Sequence, residues 1–172
     1  GNGNMSKEEL RTDRFRLSLA KINIQDKEMV DVLSRGYITT SPYQRQLFPG
    51  AIETLKKLSH KGIKLHILTN GFLEVQHIKL KESGLSDYFE TVVCSEEAHH
   101  NKPAKEVFDF ALKRAKADPK NSIMIGDDYL VDYLGAINAG MKAIHFNFRG
   151  HKRNRKTDEV IHHLHEVPKK VD

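Results

Sequence analysis

Four short apolar runs, separated from one another by helical patterns, constrain this chain more than anything else in it. Ile63-Lys64-Leu65-His66-Ile67-Leu68 alternates as a strand does, and shorter runs follow at Thr91–Cys94, Ser122–Ile125 and Ala143–Phe146. A helix opened by Pro49-Gly50 carries Ala51, Ile52, Leu55 and Leu58 on one side and closes at Gly62. Another runs from about Leu73 to Ser83 and ends at Gly84. Pro103 can start a third, with Val107, Phe108, Ala111 and Leu112 inward, and a fourth covers Tyr129 to Ala139 before Gly140. Strands alternating with helices predict an α/β fold, a parallel Rossmann-like sheet with helices on both faces. In such a sheet the loops at the carboxyl ends of the strands converge on one crevice, where ligands bind.

Residues 1–46 lack a strand. Ser6 with Glu9 fits a capping box, and Phe15, Leu19 and Ile22 continue one helical face. A second helix starts near Asp26, is expected to bury Met29, Val30 and Leu33, and stops before Ser41-Pro42. Two amphipathic helices of this kind predict a small helical cap over 1–46 beside a core over 47–172.

Composition narrows the function classes. The 172 residues, 38% hydrophobic and 30% charged, suit one domain with a small appendage. No apolar run approaches the ~20 residues of a membrane span, and no secretory pattern opens the chain. A cytoplasmic protein without a membrane partner is expected. The lone Cys94, inside an apolar run, reads as a buried strand thiol. The net charge of +5 is partly local, in His151-Lys152-Arg153-Asn154-Arg155-Lys156 and in Lys169-Lys170. Without an aromatic platform beside it this run reads as a solvated loop that can attract an anionic substrate, and nucleic acid is not the expected partner. The sequence does not set the oligomeric state.

Three turns carry the chemistry. Thr69-Asn70-Gly71 leaves a strand for a helix, so the Thr69 hydroxyl and free backbone N–H groups can hold phosphate oxygens, or Thr69 simply caps the turn. Lys102 precedes Pro103 at a helix start. Asp127-Asp128 follows an apolar strand, with Asp132 further on. Adjacent carboxylates repel unless a cation or basic partner joins them, and magnesium favours a few carboxylates together with phosphate oxygens. Helix capping is the alternative for one of the two. His99-His100 lacks a third ligand at zinc-like spacing and reads as a solvated loop.

Ile-Leu-Thr-Asn-Gly at 67–71, Asn-Lys-Pro at 101–103 and Gly-Asp-Asp at 126–128 followed by Asp132 resemble, in this order, motifs two, three and four of the haloacid dehalogenase-like hydrolases. Asn70-Gly71-Phe72 with Val75-Gln76, Gly84-Leu85, Tyr88-Phe89 and Ser95-Glu96 is similar to the subgroup of pyrimidine 5′-nucleotidases and small-phosphate phosphatases, and the opening ten residues resemble part of that group's helical cap. The resemblance implies a magnesium-dependent phosphatase acting on a nucleoside monophosphate or another small phosphorylated substrate. By it Thr69 binds the transferring phosphoryl group, Asn70 adds backbone or amide contacts, and Lys102 neutralises charge on phosphate and nucleophile. Asp127 ligates Mg2+ directly and Asp132 supports it from outside. Asp128 stands where the family often has serine and is a further candidate ligand. A sugar-phosphate mutase, a dehalogenase, and an inactive phosphate-binding module are the competing readings.

One motif is missing. The family's reaction begins at an aspartate in Asp-x-Asp, which attacks phosphorus to give an aspartyl-phosphate, while the second aspartate acts as general acid and base. No Asp-x-Asp occurs in the 172 residues. The resemblance puts that motif on a first, central strand, with part of the cap after it, so residue 1 is expected to lie inside a longer polypeptide. Without that strand the 172 residues are expected neither to fold stably nor to turn over substrate.

Overall fold

The computed structural model describes residues 7–150 and 159–171, in two compact units, Gly1–Gln44 and Arg45–Asp172. The capping residue Ser6 and the basic run 151–156 lie outside the described residues.

In the first unit, α1 (Lys7–Ala20) and α2 (Lys27–Thr40) are joined through Asn23, which adopts a left-handed backbone. Asp26 is the N-cap of α2, its carboxylate accepting from the Met29 N–H at 3.0 Å. Leu19 and Val30 are buried, and the Phe15 and Tyr37 rings lie 5.9 Å apart. The expected burial of Met29 and Leu33 is corrected: they are 40% and 39% exposed, and Ile22, placed on the first helical face, lies beyond the end of α1 and is 64% exposed. Two helices share a single seam, which covers one stripe of each and leaves the flanking apolar positions open.

The second unit follows the anticipated order of helices and strands, with a short helix α5 and a short strand β5 added to it: α3 (Ala51–His60), β1 (His66–Thr69), α4 (Leu73–Glu82), β2 (Thr91–Cys94), α5 (Ser95–Ala98), α6 (Lys105–Ala115), β3 (Ile123–Gly126), α7 (Leu134–Asn138), β4 (Lys142–Phe146) and β5 (Val160–Ile161). All pairings are parallel. β1 pairs with β2, and β3, β4 and β5 form a second ladder in that order. Side-chain alternation sorts each strand onto two cores. Met124 and Ala143 join Val107, Phe108, Tyr129, Tyr133 and Ala136 on the α6–α7 side, where Leu68 of β1 also packs. Ile123, Ile125, Ile144 and Phe146 join Leu58 of α3, Ile161 and Val167 on the other side, where Leu65 packs. The two ladders therefore share both cores, yet among the described residues no ladder hydrogen bond joins them.

Two helix starts differ from the sequence reading. Pro103 does not open α6: it lies in a turn closed by Ala104 N–H to Asn101 carbonyl at 3.0 Å, after a cis Lys102–Pro103 peptide, and the helix starts at Lys105. The Asn70 side chain holds the Lys102 backbone and so keeps 101–104 in the turn. The expected helix over Tyr129–Ala139 opens as a π turn at Tyr129–Tyr133 before continuing as α7. Cys94 is fully buried at the end of β2, as its apolar setting suggested.

Candidate active site

β1 and β3 end at Thr69 and Gly126, and the motif residues sit in the turns that follow. Lys102 reaches back to join the two ladders. Its ammonium donates to the Leu68 carbonyl at 3.0 Å and to Asp132 Oδ1 at 2.6 Å. The side chains of this pair are only 8% and 7% exposed. At that burial the charges are held by each other and by the backbone dipole rather than by water.

Asn70 grips the Lys102 backbone from both sides. Its Oδ1 accepts from the Lys102 N–H at 2.9 Å and its Nδ2 donates to the Lys102 carbonyl at 3.1 Å. The Thr69 hydroxyl oxygen accepts from Gly71 N–H at 2.9 Å, which leaves its own proton for an incoming acceptor.

The π turn accounts for the acidic cluster. Asp128 Oδ1 accepts from Leu130 and Val131 N–H at 2.9 and 3.0 Å, the capping role weighed for one of the adjacent aspartates. Asp132 answers with Oδ2, which accepts from Asp128 N–H at 3.1 Å. An ordinary capping box uses the third helical residue, and Asp132 is the fourth. The wider turn, in which Tyr133 N–H bonds the Asp128 carbonyl, lets the fourth residue fold back. Gly126 is required there, because a Cβ on it would lie 2.3–2.4 Å from the Asp132 side chain.

Asp127 is exposed, and no described residue hydrogen-bonds or ion-pairs with its carboxylate. Its carbonyl accepts from His145 Nε2–H on β4 at 3.1 Å. Asp127 lines an open cavity of about 340 Å³ with Phe48, Ile125, Gly126, Phe146, Phe148 and Leu164. A larger cavity of about 390 Å³, between Leu73, Leu80, Phe89 and Arg114, holds none of the motif residues.

Among the described residues no three His, Cys, Asp or Glu side chains converge as a cage. Mg2+ keeps several waters and uses one or two carboxylates plus substrate oxygens, so a single unpartnered carboxylate such as that of Asp127 fits it. The buried Asp132 is already paired with Lys102, which leaves Asp127 as the carboxylate open to an ion.

Hydrogen bonds thus link Asn70, Lys102, Asp132 and Asp128, while Thr69 is the last residue of β1 and Asp127 the first after β3. His99 and His100 stay on the surface. Sequence reasoning missed the Leu68 carbonyl, the backbone grip of Asn70, and His145. Gly126 was visible in the Gly-Asp-Asp motif. His145, an isolated histidine in an apolar strand, carried no signal of its own.

The haloacid dehalogenase-like hydrolase family model matches residues 7–146. Pyrimidine 5′-nucleotidase YjjG of Escherichia coli is 33% identical over 147 residues, 85% of this chain and 63% of that protein. Glyceraldehyde 3-phosphate phosphatase of Methanothermobacter thermautotrophicus is 40% identical over 100 residues, 58% of this chain and 44% of that protein. The chain therefore spans less than two thirds of either curated relative. The structure of the HAD-hydrolase YfnB of Bacillus subtilis, solved bound to magnesium, superposes with a TM-score of 0.83 at 26% identity, covering 98% of this chain and 74% of that one.

Proposed function

The chain belongs to the haloacid dehalogenase-like hydrolases, and on that premise we propose that its protein is a magnesium-dependent phosphomonoester hydrolase, acting on a nucleoside monophosphate or another small phosphate. One observation carries the reading: a buried ammonium, Lys102, fixed between the Leu68 carbonyl near the end of β1 and Asp132 beyond β3.

Each residue has a task that its geometry supports. The Thr69 hydroxyl proton and the backbone N–H groups entering α4 bind phosphoryl oxygens. Lys102 is held by fixed partners, so its charge faces the reacting group without reorganisation. Asn70 positions Lys102 through the backbone. Asp127 holds Mg2+, which neutralises phosphate charge when bound, and Asp132 supports the arrangement through Lys102 and the Asp128 N–H. Asp128 caps the π turn by Oδ1, and its role toward the ion is secondary. The attacking carboxylate is an aspartate of an Asp-x-Asp segment upstream of residue 1. It displaces the leaving alcohol to give an aspartyl-phosphate, which water hydrolyses. Residues 1–46 serve as part of the helical cap that selects the leaving group, and residues 47–172 as the hydrolase core.

Phosphate release by the complete protein from nucleoside monophosphates, small sugar phosphates and 4-nitrophenyl phosphate, with and without Mg2+, tests this. Magnesium-dependent release is expected. Halide release from 2-haloacids without phosphate release overturns it.

A further inference from the structure

We infer that His145 is a positioning residue for Asp127: by holding one peptide plane it sets the direction of the free carboxylate and thereby the affinity for Mg2+. The inference rests on the reading of Asp127 as the metal-binding carboxylate.

The peptide unit between Asp127 and Asp128 is gripped at both of its polar atoms. Its carbonyl accepts from His145 Nε2–H at 3.1 Å, and its N–H donates to Asp132 Oδ2 at 3.1 Å. Because a carbonyl can only accept, Nε2 carries the proton. With Gly126 held in the ladder on the other side of Asp127, fixing that plane fixes the backbone torsion between them, and with it the direction of the Cα–Cβ bond. No described residue holds the Asp127 carboxylate itself. The orientation of this ligand is therefore set through its backbone.

His145 is suited to the task by its own anchoring. It is 3% exposed, it sits on β4 opposite Gly126 in the parallel register, and its N–H donates to the Glu159 carbonyl at 2.8 Å. The Tyr129 ring meets its imidazole edge-on, with centroids 5.6 Å apart. Tyr129 in turn stacks on Tyr133 at 5.1 Å. The imidazole is locked by strand and ring before it touches the loop. Partners of this kind, one step removed from a metal, typically change affinity 10–100-fold when removed.

Calorimetric titration of Mg2+ into the complete protein, with no substrate present, tests the inference. His145→Leu is expected to raise the Kd for Mg2+ roughly tenfold or more. His145→Gln, whose amide N–H reaches about as far as Nε2, should stay within about threefold of the parent. His145→Asn, one bond shorter, should behave as His145→Leu and serves if the leucine variant does not fold. Folding of each variant is read from its melting temperature. At saturating Mg2+ the substrate KM should be unchanged. A folded leucine or asparagine variant with parental Mg2+ affinity overturns the inference, as does equal weakening by glutamine and leucine. Absence of Mg2+ binding by the parent protein defeats instead the underlying assignment of Asp127.

Discussion

A lysine and an aspartate at 8% and 7% side-chain exposure stabilise a fold only while both are present. Removing one leaves the other buried and uncompensated, at a cost of about 3–5 kcal/mol. Lys102→Met should therefore lower the unfolding free energy by about that amount in urea titrations, as well as abolish turnover. A loss below about 1 kcal/mol would mean that solvent reaches the pair. The two adjacent aspartates should separate in the opposite way. Asp127→Asn removes the free carboxylate, so Mg2+ affinity and turnover should fall steeply while stability hardly changes. Asp128→Ser retains an N-cap oxygen and should be mild in both, whereas Asp128→Ala should cost about 1 kcal/mol of stability. Calorimetry with Mg2+ and thermal melts distinguish the three. At this scale the sequence pointed to Lys102 and Asp132, which do meet, because each follows a recognisable strand or turn. It could not say which hydrogen bond each would make. Asn70 as a clamp on the Lys102 backbone depends on a contact across 32 positions that no local pattern encodes.

Elements were legible where one periodicity ruled and less so where a tertiary contact overrode it. β2 was readable to the residue, and α3, α4, β3 and β4 to within a few. The π turn was not, because it follows from Asp132 folding back against Gly126 rather than from any propensity of Tyr129–Tyr133. Its continuation, α7, packs tightly enough to be tested. A Cβ at Gly135 would lie 2.8 Å from the Phe108 ring and 3.2 Å from the Pro103 Cα. The ring is itself fully buried, and the Pro103 backbone belongs to the turn that carries Lys102. Gly135→Ala should therefore destabilise by about 1–3 kcal/mol despite the better helix propensity of alanine. A stability gain in melts would show that α6 and α7 can part. On β1, burial pushes His66 below its ordinary pKa of 6.5, helped by Lys64 and opposed by Glu90, and its Nδ1 lies 2.8 Å from the Thr91 hydroxyl. The depressed pKa sets the sign. Above 6.5 both folded and unfolded states are neutral and the contribution is complete. Below it the unfolded chain takes up the proton first, so stability falls as pH drops through the folded-state value. His66→Gln should flatten that part of the stability–pH curve and leave it unchanged above about pH 7.5.

At the level of the whole molecule, two parallel ladders share both hydrophobic cores without a ladder hydrogen bond between them among the described residues. Backbone groups along β1 and β3 then want partners, and the proposed mechanism wants a nucleophile. One segment can supply both: an apolar strand ending in Asp-x-Asp that runs between β1 and β3. Its carboxylates would emerge at the same end as Thr69 and Gly126, within reach of a phosphoryl group held by Thr69 and Lys102. The expected outcome is that residues 1–172 expressed alone release no phosphate from nucleoside monophosphates or 4-nitrophenyl phosphate at any Mg2+ concentration. Lys102 and a metal at Asp127 stabilise transferring charge, yet something must attack phosphorus. Water on a single magnesium is a poor substitute, because this ion does not bring the pKa of bound water near neutrality as zinc does. A polypeptide in which such a strand precedes these residues should turn over the same substrates and melt at a higher temperature, and changing the first aspartate of its motif to asparagine should abolish turnover while keeping the gain in stability. Magnesium-dependent turnover by the 172 residues alone would place the nucleophile within them, and Asp127, the one site carboxylate without a partner among the described residues, would be the first position to substitute.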